Sequence, residues 1–189
     1  AFLSLIAILG GLLLVYYYTK LNYDSLKKIN EAEKKLTDIL KYSTNAFYSH
    51  TPDHQLTYVS QQSLKILGYT PEELKIKWTN LVTDNPMNLV GLRSTNLAIE
   101  TGKTQPPYEL ELLNKNGEKI WVEVFEAPVV VNGKTVSIVG SLTDITERKN
   151  AEKSLYETEE IFRHFLENSP IYIFFKDDKI RTVKLSKNY

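Results

Sequence analysis

Three histidines and a set of glutamates on predicted strands are the residues whose spacing could do chemistry. His50 and His54 flank Thr51-Pro52-Asp53, an i, i+4 pair with a carboxylate between. Such a pair chelates a metal from a helix, but Pro52 lies inside this one and the flanks read as strands. The stretch therefore reads as a solvated loop, and no metal ligand is assigned. His164 lies in Phe162-Arg163-His164-Phe165. A phosphoryl-accepting histidine works with an acidic neighbour that moves its proton; Phe165 holds that place, so His164 reads as an exposed position on a helix. Glu109 and Glu111 share one face of their strand, whereas Glu123 and Glu126 do not share one. Together they read as a solvated sheet face. With no base–nucleophile pair, glycine-rich phosphate loop or carboxylate cluster, no catalytic residue is assigned.

The bulk numbers narrow the field further. Twenty-three basic and 23 acidic residues cancel, which gives no reason to expect a nucleic-acid partner. The absence of cysteine excludes disulfides, thiolate zinc sites and a cysteine nucleophile. A length of 189 residues allows one or two domains; lacking an initial Met and stopping mid-pattern, the chain reads as a fragment.

Residues 1–19 are expected to form a transmembrane helix. Ala1 to Tyr18 carries no charge, and 18 helical residues span about 27 Å, close to a bilayer's hydrocarbon core. Tyr16, Tyr17 and Tyr18 then form an interfacial cluster, and Lys20, Lys27 and Lys28 place the following segment in the cytoplasm. A signal peptide is disfavoured, since no basic region precedes the run and no small-residue cleavage site follows it. Ser4, Ala7 and Gly11 make a small-residue stripe suited to helix pairing. In the linker helix expected over 20–43, Ile29, Ala32, Leu36, Ile39 and Ser43 keep a 3-4-3-4 spacing. Two heptads fit either a short parallel coiled coil or one amphipathic helix packed on its own domain.

The middle of the chain has an α+β order. Ala46–Ser49 and Leu56–Val59 read as strands, Ser60–Gly68 as a short helix capped by Ser60, and Thr70-Pro71-Glu72-Glu73 as a capping box opening another. A longer helix over Pro86–Thr101 stops at Gly102. Its stripe Leu89, Leu92, Asn96 and Ile99 makes Asn96 the polar exception, either a buried amide bonded to backbone or a group that reaches a ligand. Three strands follow in meander order, Tyr108–Leu113, Lys119–Ala127 and Thr135–Leu142. Asn116-Gly117 and Asn132-Gly133 sit at the two hairpins and predict type I′ turns. The middle strand alternates Ile120, Val122, Val124 against Trp121, Glu123, Phe125. Asp144 and Glu147 then stand as a capping box at a helix start, so Asp144, Ile145 and Thr146 must carry any sheet strain into that helix. Asp144 is expected to accept from the helix's free N–H groups, Glu147 to return a bond, and Thr146 to donate to Asp144.

The words "LTYVSQQSLKILGYTPEEL" and "NKNGEKIWVEV", with the terminal "DITERK", resemble the two halves of a PAS sensory domain, placed here at 40–146. Ser60 departs from the family's usual Asn. The motif Ala32-Glu33-Lys34-Lys35-Leu36 recurs as Ala151-Glu152-Lys153-Ser154-Leu155, and "FLENSPIYIFFKDDKIRTVKLSKNY" resembles the opening of a second PAS domain. A linker helix over 147–166 would join the two, with the seam Arg148, Ala151, Leu155, Thr158, Phe162, Phe165; the second domain, truncated, would occupy 167–189.

The resemblance implies a five-stranded antiparallel sheet with flanking helices, in the signal-sensing and relay segment of a membrane-bound receptor. A sensor histidine kinase is the first expectation. Diguanylate cyclases, chemoreceptors and a ligand-free dimerisation and relay module are the alternatives. It also implies a homodimer at the inner membrane, the PAS region cytoplasmic, and an output domain further along the same chain. Relatives hold cofactors between the sheet and the long helix. Haem is disfavoured because Pro86–Thr101 has no His, and a covalent flavin adduct is excluded by the lack of Cys; a non-covalent flavin or small metabolite stays open. Trp78 and Tyr108 join Asn96 as candidate ligand contacts.

Overall fold

The computed structural model describes the backbone of residues 2–185 and the side chains of residues 10–181. Helix α1 (Phe2–Tyr42) leads into β1 (Ala46–His50), β2 (Leu56–Val59), a short α2 (Ser63–Ile66) and a 3-10 turn at Trp78–Asn80. Then come α3 (Met87–Thr101), β3 (Tyr108–Leu113), β4 (Lys119–Val131), β5 (Lys134–Asp144), α4 (Thr146–Asn168) and a hairpin of β6 (Phe174–Lys176) and β7 (Thr182–Leu185). The first five strands form one antiparallel sheet in the order β2-β1-β5-β4-β3. β1 pairs with β5, so the sequence-distant ends of the domain meet at its centre.

Alternation along β4 buries Ile120, Val122 and Val124, joined by Ile138 and Leu142 of β5 and by Tyr108, Leu110 and Leu112 of β3. Helix α3 covers this face, and it comes close because its contact residues are small. A Cβ at Gly91 would lie 2.8 Å from the ring of Tyr108. The buried residues of α3 are Asn88, Gly91, Thr95 and Ala98. The leucine stripe expected to face the core is therefore one residue out of phase, and Leu89 is 68% exposed.

Local signals were realised unevenly. The Asn132-Gly133 turn has φ of 52° and 76°, the two left-handed residues of a type I′ hairpin. At Asn116-Gly117 only Gly117 is left-handed, because the Asn114 side chain accepts from the amides of Asn116 and Glu118 and wraps a longer turn. Ser60 does not cap a helix; its hydroxyl accepts from Phe47 N at 2.9 Å, extending the β1–β2 pairing. The Thr70/Glu73 box closes, yet no helix follows, since the chain leaves to bond β2 through Ile76 O and a Gln55–Lys77 bridge. Gly102 ends α3 in the left-handed region, as expected.

No helix of the described residues is long and apolar enough to cross a membrane. The side chains of residues 1–9, half of the expected span, lie outside the described residues, as do residues 186–189 of the expected second domain.

Candidate functional site

Glu126 is the fourth inward position of β4 after Ile120, Val122 and Val124, and only 5% of it is exposed. Its row in the sheet explains how a carboxylate is tolerated there. Tyr48 of β1 and Glu126 of β4 both pair with Gly140 of β5. A Cβ at Gly140 would sit 2.7 Å from the Tyr48 hydroxyl, so the missing side chain is what lets Tyr48 lie across β5. The Tyr48 hydroxyl donates to Glu126 Oε1 at 2.7 Å, and His50 Nε2 lies 3.2 Å from the same oxygen. On the other oxygen, Thr95 Oγ1 of α3 donates at 2.7 Å and Tyr108 Oη of β3 at 2.8 Å. Four donors from three elements thus converge on one carboxylate, joining sheet and helix.

Burial alone would raise the Glu126 pKa, but the bonds from His50, Tyr48 and Thr95 outweigh it and hold the carboxyl below its usual range. Burial pushes the Tyr48 and Tyr108 phenols up, and the Glu126 charge adds to both. They stay protonated, as donors must. His50 is fully buried, and its Nδ1 lies 2.7 Å from Thr51 O. Each ring nitrogen of His50 therefore faces an oxygen within hydrogen-bonding distance. Of the His50–His54 stretch, the turn at Pro52 and Asp53 is solvated as expected, but the histidines that flank it are not. β1 continues through His50, and the two rings pack with Trp78 at centroid distances of 5.4–6.4 Å. Burial, with His50 next, lowers the His54 pKa. Among the described residues, no group of three or more potential metal ligands is assembled.

Beneath the cluster lies a cavity of about 40 Å³, lined by leucines from α2's end, β2 and β3, with Trp78, Tyr108 and Glu126 in its wall. Of the three candidate ligand contacts, the structure places Trp78 and Tyr108 on this cavity and Asn96 on the exposed face of α3. The α3 amide that is buried is Asn88, which bonds Glu111 N, Glu111 O and Thr83 O. The strand glutamates divide: Glu111 and Glu126 are buried, whereas Glu109 and Glu123 meet Arg148 on the outer face. His164 is exposed on α4.

At the exit, Asp144 Oδ1 accepts from Thr146 N at 2.8 Å, but the residue preceding the helix is Ile145, with no side-chain cap. The Thr146 hydroxyl turns to β4 instead of Asp144: it accepts from Trp121 N at 3.0 Å, and Ile145 N donates to Trp121 O at 2.9 Å. Lys149 pairs with Glu109 at 2.6 Å and lies over the Trp121 ring. The first turn of α4 is thereby fastened to the outer face of β3 and β4.

By sequence alone His50 and Glu126 read as solvated, and Tyr48 and Thr95 are not singled out. One signal could have found Glu126: extending the Ile120, Val122, Val124 alternation by one step puts it inside.

Among solved structures, a sensory box histidine kinase/response regulator from Burkholderia thailandensis superposes with a TM-score of 0.57 at 20% identity, over 69% of this chain and 98% of that one. A PAS domain from Colwellia psychrerythraea gives 0.51 at 20% identity, over 61% and 98%. An RNA-binding Light-Oxygen-Voltage receptor gives 0.55 at 22% identity, over 68% of this chain and 37% of that one. None of the curated proteins matches. The family model described as PAS domain matches residues 44–147, more than half of the chain, and with the sheet order seen here it settles the family: this chain belongs to the PAS-domain proteins.

Proposed function

We propose that the chain is the sensing and relay segment of a membrane-bound signal-transduction receptor, of the sensor histidine kinase type. Residues 1–19 would anchor it in the inner membrane, 20–43 would couple that anchor to the cytoplasmic PAS domain, and α4 would carry the signal to a second PAS domain opening at 167 and to an output domain beyond. Exposed apolar residues along α1 (Ile29, Leu36, Ile39) and α4 (Leu155, Phe165) suit pairing with a second copy. Diguanylate cyclase or chemoreceptor output would use the same layout.

The observation that carries the relay reading is the α4 junction. A single residue, Ile145, separates β5 from α4, and the backbone amide of Ile145 and the hydroxyl of Thr146 are both bonded to Trp121 of β4. The direction of α4 is thus a function of sheet geometry. Thr146→Val keeps the shape and removes the bond. It should leave the domain folded, with a loss of about 1 kcal/mol, yet shift the basal output of the intact receptor about fivefold. Unchanged output and unchanged stimulus response in a folded mutant would refute the relay role.

The cavity favours one variant of this reading. Pockets for ring-system ligands run to about 300–1,000 Å³, and the 40 Å³ found here fits neither flavin nor haem. As packed, the core supports a domain that relays without a bulky cofactor, or that takes a ligand of a few heavy atoms. Absorbance and mass spectrometry of the purified chain test this; a co-purifying flavin or haem would overturn it.

A further inference from the structure

The relay reading leaves open where α1 takes hold of the domain, and a side chain outside the Glu126 cluster answers that. From Gly10 to Ile39 every residue of α1 is exposed, and Leu40 alone is half-buried. The helix therefore does not lie along the domain; it touches it at its last turn. There Gln62, just before α2 and only 6% exposed, donates from Nε2 to Leu40 O and, at 2.9 Å, to Lys41 O. Both partners are carbonyls at a helix C-terminus, which accept only, so the amide must present its NH2 group to them. Those carbonyls carry the negative end of the helix dipole.

On its other side Gln62 is continuous with the core. Ser63 is fully buried and donates to Tyr69 O, Leu67 lines the cavity, and Leu67 O accepts from Lys115 N of the β3–β4 hairpin. A rotation of the end of α1 thus displaces a side chain that is locked to one cavity wall.

We infer that Gln62 is the positioning residue of the input joint: its side-chain amide, capping the C-terminus of α1, fixes the angle of that helix to the PAS core and carries its motion into α2. This rests on the relay reading above. The joint passes force in either direction, so contraction of the cavity around Leu67 pulls on α1 as α1 pushes on Leu67.

The chain has no native cysteine, so spin labels can be placed at will. Lys34→Cys on α1 and Asn116→Cys on the β3–β4 turn, in detergent-solubilised full chain diluted with unlabelled chain, report the intrachain distance by pulsed electron resonance. Gln62→Leu removes both donors, and Gln62→Glu sets a carboxylate against the carbonyls. Both should widen the distance distribution roughly twofold as the last turn frays, with the PAS domain still folded in a cooperative thermal melt. Gln62→Lys restores a donor of suitable charge and should keep the distribution narrow. An unchanged width in Gln62→Leu or Gln62→Glu overturns the inference; so does a Lys variant as wide as the Leu one, which would assign the effect to packing. A second label at Ser154→Cys on α4 separates the two readings. If Gln62 variants loosen α1 while Thr146→Val leaves α4 fixed, the joint stands and the relay reading falls.

Discussion

Replacing Glu126 by Gln changes one atom and one charge in a core side chain that holds four hydrogen-bond partners, so its cost can be worked out donor by donor. Glutamine keeps one acceptor oxygen and puts an NH2 group where the other was. Facing the NH2 toward His50 and Tyr48 would oppose donors to donors, so the oxygen stays on that side and the NH2 turns to Thr95 and Tyr108. There it can donate to the two hydroxyl oxygens, which lie 2.7 Å apart and can bond each other. One hydroxyl hydrogen is then left without an acceptor, a loss of about 1–3 kcal/mol, and the two bonds on the oxygen side fall from charge-assisted to weaker strength. The expected total is about 2–4 kcal/mol, well below four charged bonds simply summed, because the hydroxyls re-pair. In a domain of this size that is roughly 10–20 °C of melting temperature. Urea unfolding of the full chain, followed by tryptophan fluorescence (Trp78 sits in the core), gives the number directly. A loss below about 0.5 kcal/mol would show that the carboxylate is not an ionised hub, and the account of its four donors would be wrong.

The same carboxylate fixes a pH dependence. Its pKa is depressed in the folded state, so its contribution is complete above the unfolded value near 4.3 and is lost as pH falls through the folded value. Glu111 is depressed too, by bonds from Thr83 and Lys119 that outweigh its burial, so both shape the acid limb; Glu126→Gln should flatten the slope of stability against pH below about 4.3, and an unaltered slope would exclude Glu126 as its source. Gly140→Ala should cost about 1–3 kcal/mol by pushing the Tyr48 ring off Glu126; a tyrosine ultraviolet difference spectrum that matches wild type would refute that displacement. Asn96→Leu on the exposed face should change stability by less than about 0.5 kcal/mol, whereas Asn88→Leu should cost about 1–3 kcal/mol. Equal losses in urea melts of the two would contradict the observed face of α3.

The sheet was legible because its strands carry their own punctuation. Alternation from Lys119 to Phe125, the glycine turns and the run from Asp144 to Thr146 each state a local geometry, and all agree on one antiparallel meander. The long helix was legible in its ends but not in its rotation. Periodicity finds the widest apolar stripe, yet α3 packs on Gly91 and Ala98, where small residues let the backbone approach the sheet. The buried cluster was illegible for a different reason. His50, Tyr48, Thr95 and Glu126 come from positions up to 78 residues apart, and each alone looks like a surface residue. The β1–β5 pairing brings Tyr48 and His50 to Glu126 and the packing of α3 brings Thr95, and neither has a local signature. Thr146 is intermediate: its place in the junction was readable, but its partner, the backbone of Trp121, belongs to a neighbouring strand.

In the proposed relay, β4 and β5 join the buried cluster to the α4 junction. On β4, Glu126 and Trp121 are five residues apart; on β5, Gly140 and Asp144 are four apart, roughly 13 Å of extended chain. The buried cluster grips the first residue of each pair and the α4 junction the second. The strands are cross-bonded between, from Glu126↔Gly140 to Val122↔Asp144, so they move as one ribbon. A change in the donors around Glu126 that alters the twist of this ribbon must rotate the Trp121 backbone to which Ile145 and Thr146 are bonded. An apolar residue at 126 would leave the core better desolvated but would untie α3 from β1 and β3 at Thr95, His50 and Tyr108. In the relay proposed above, the role of the buried charge is to couple α3, the sheet and α4, a role that an apolar side chain at 126 could not fill.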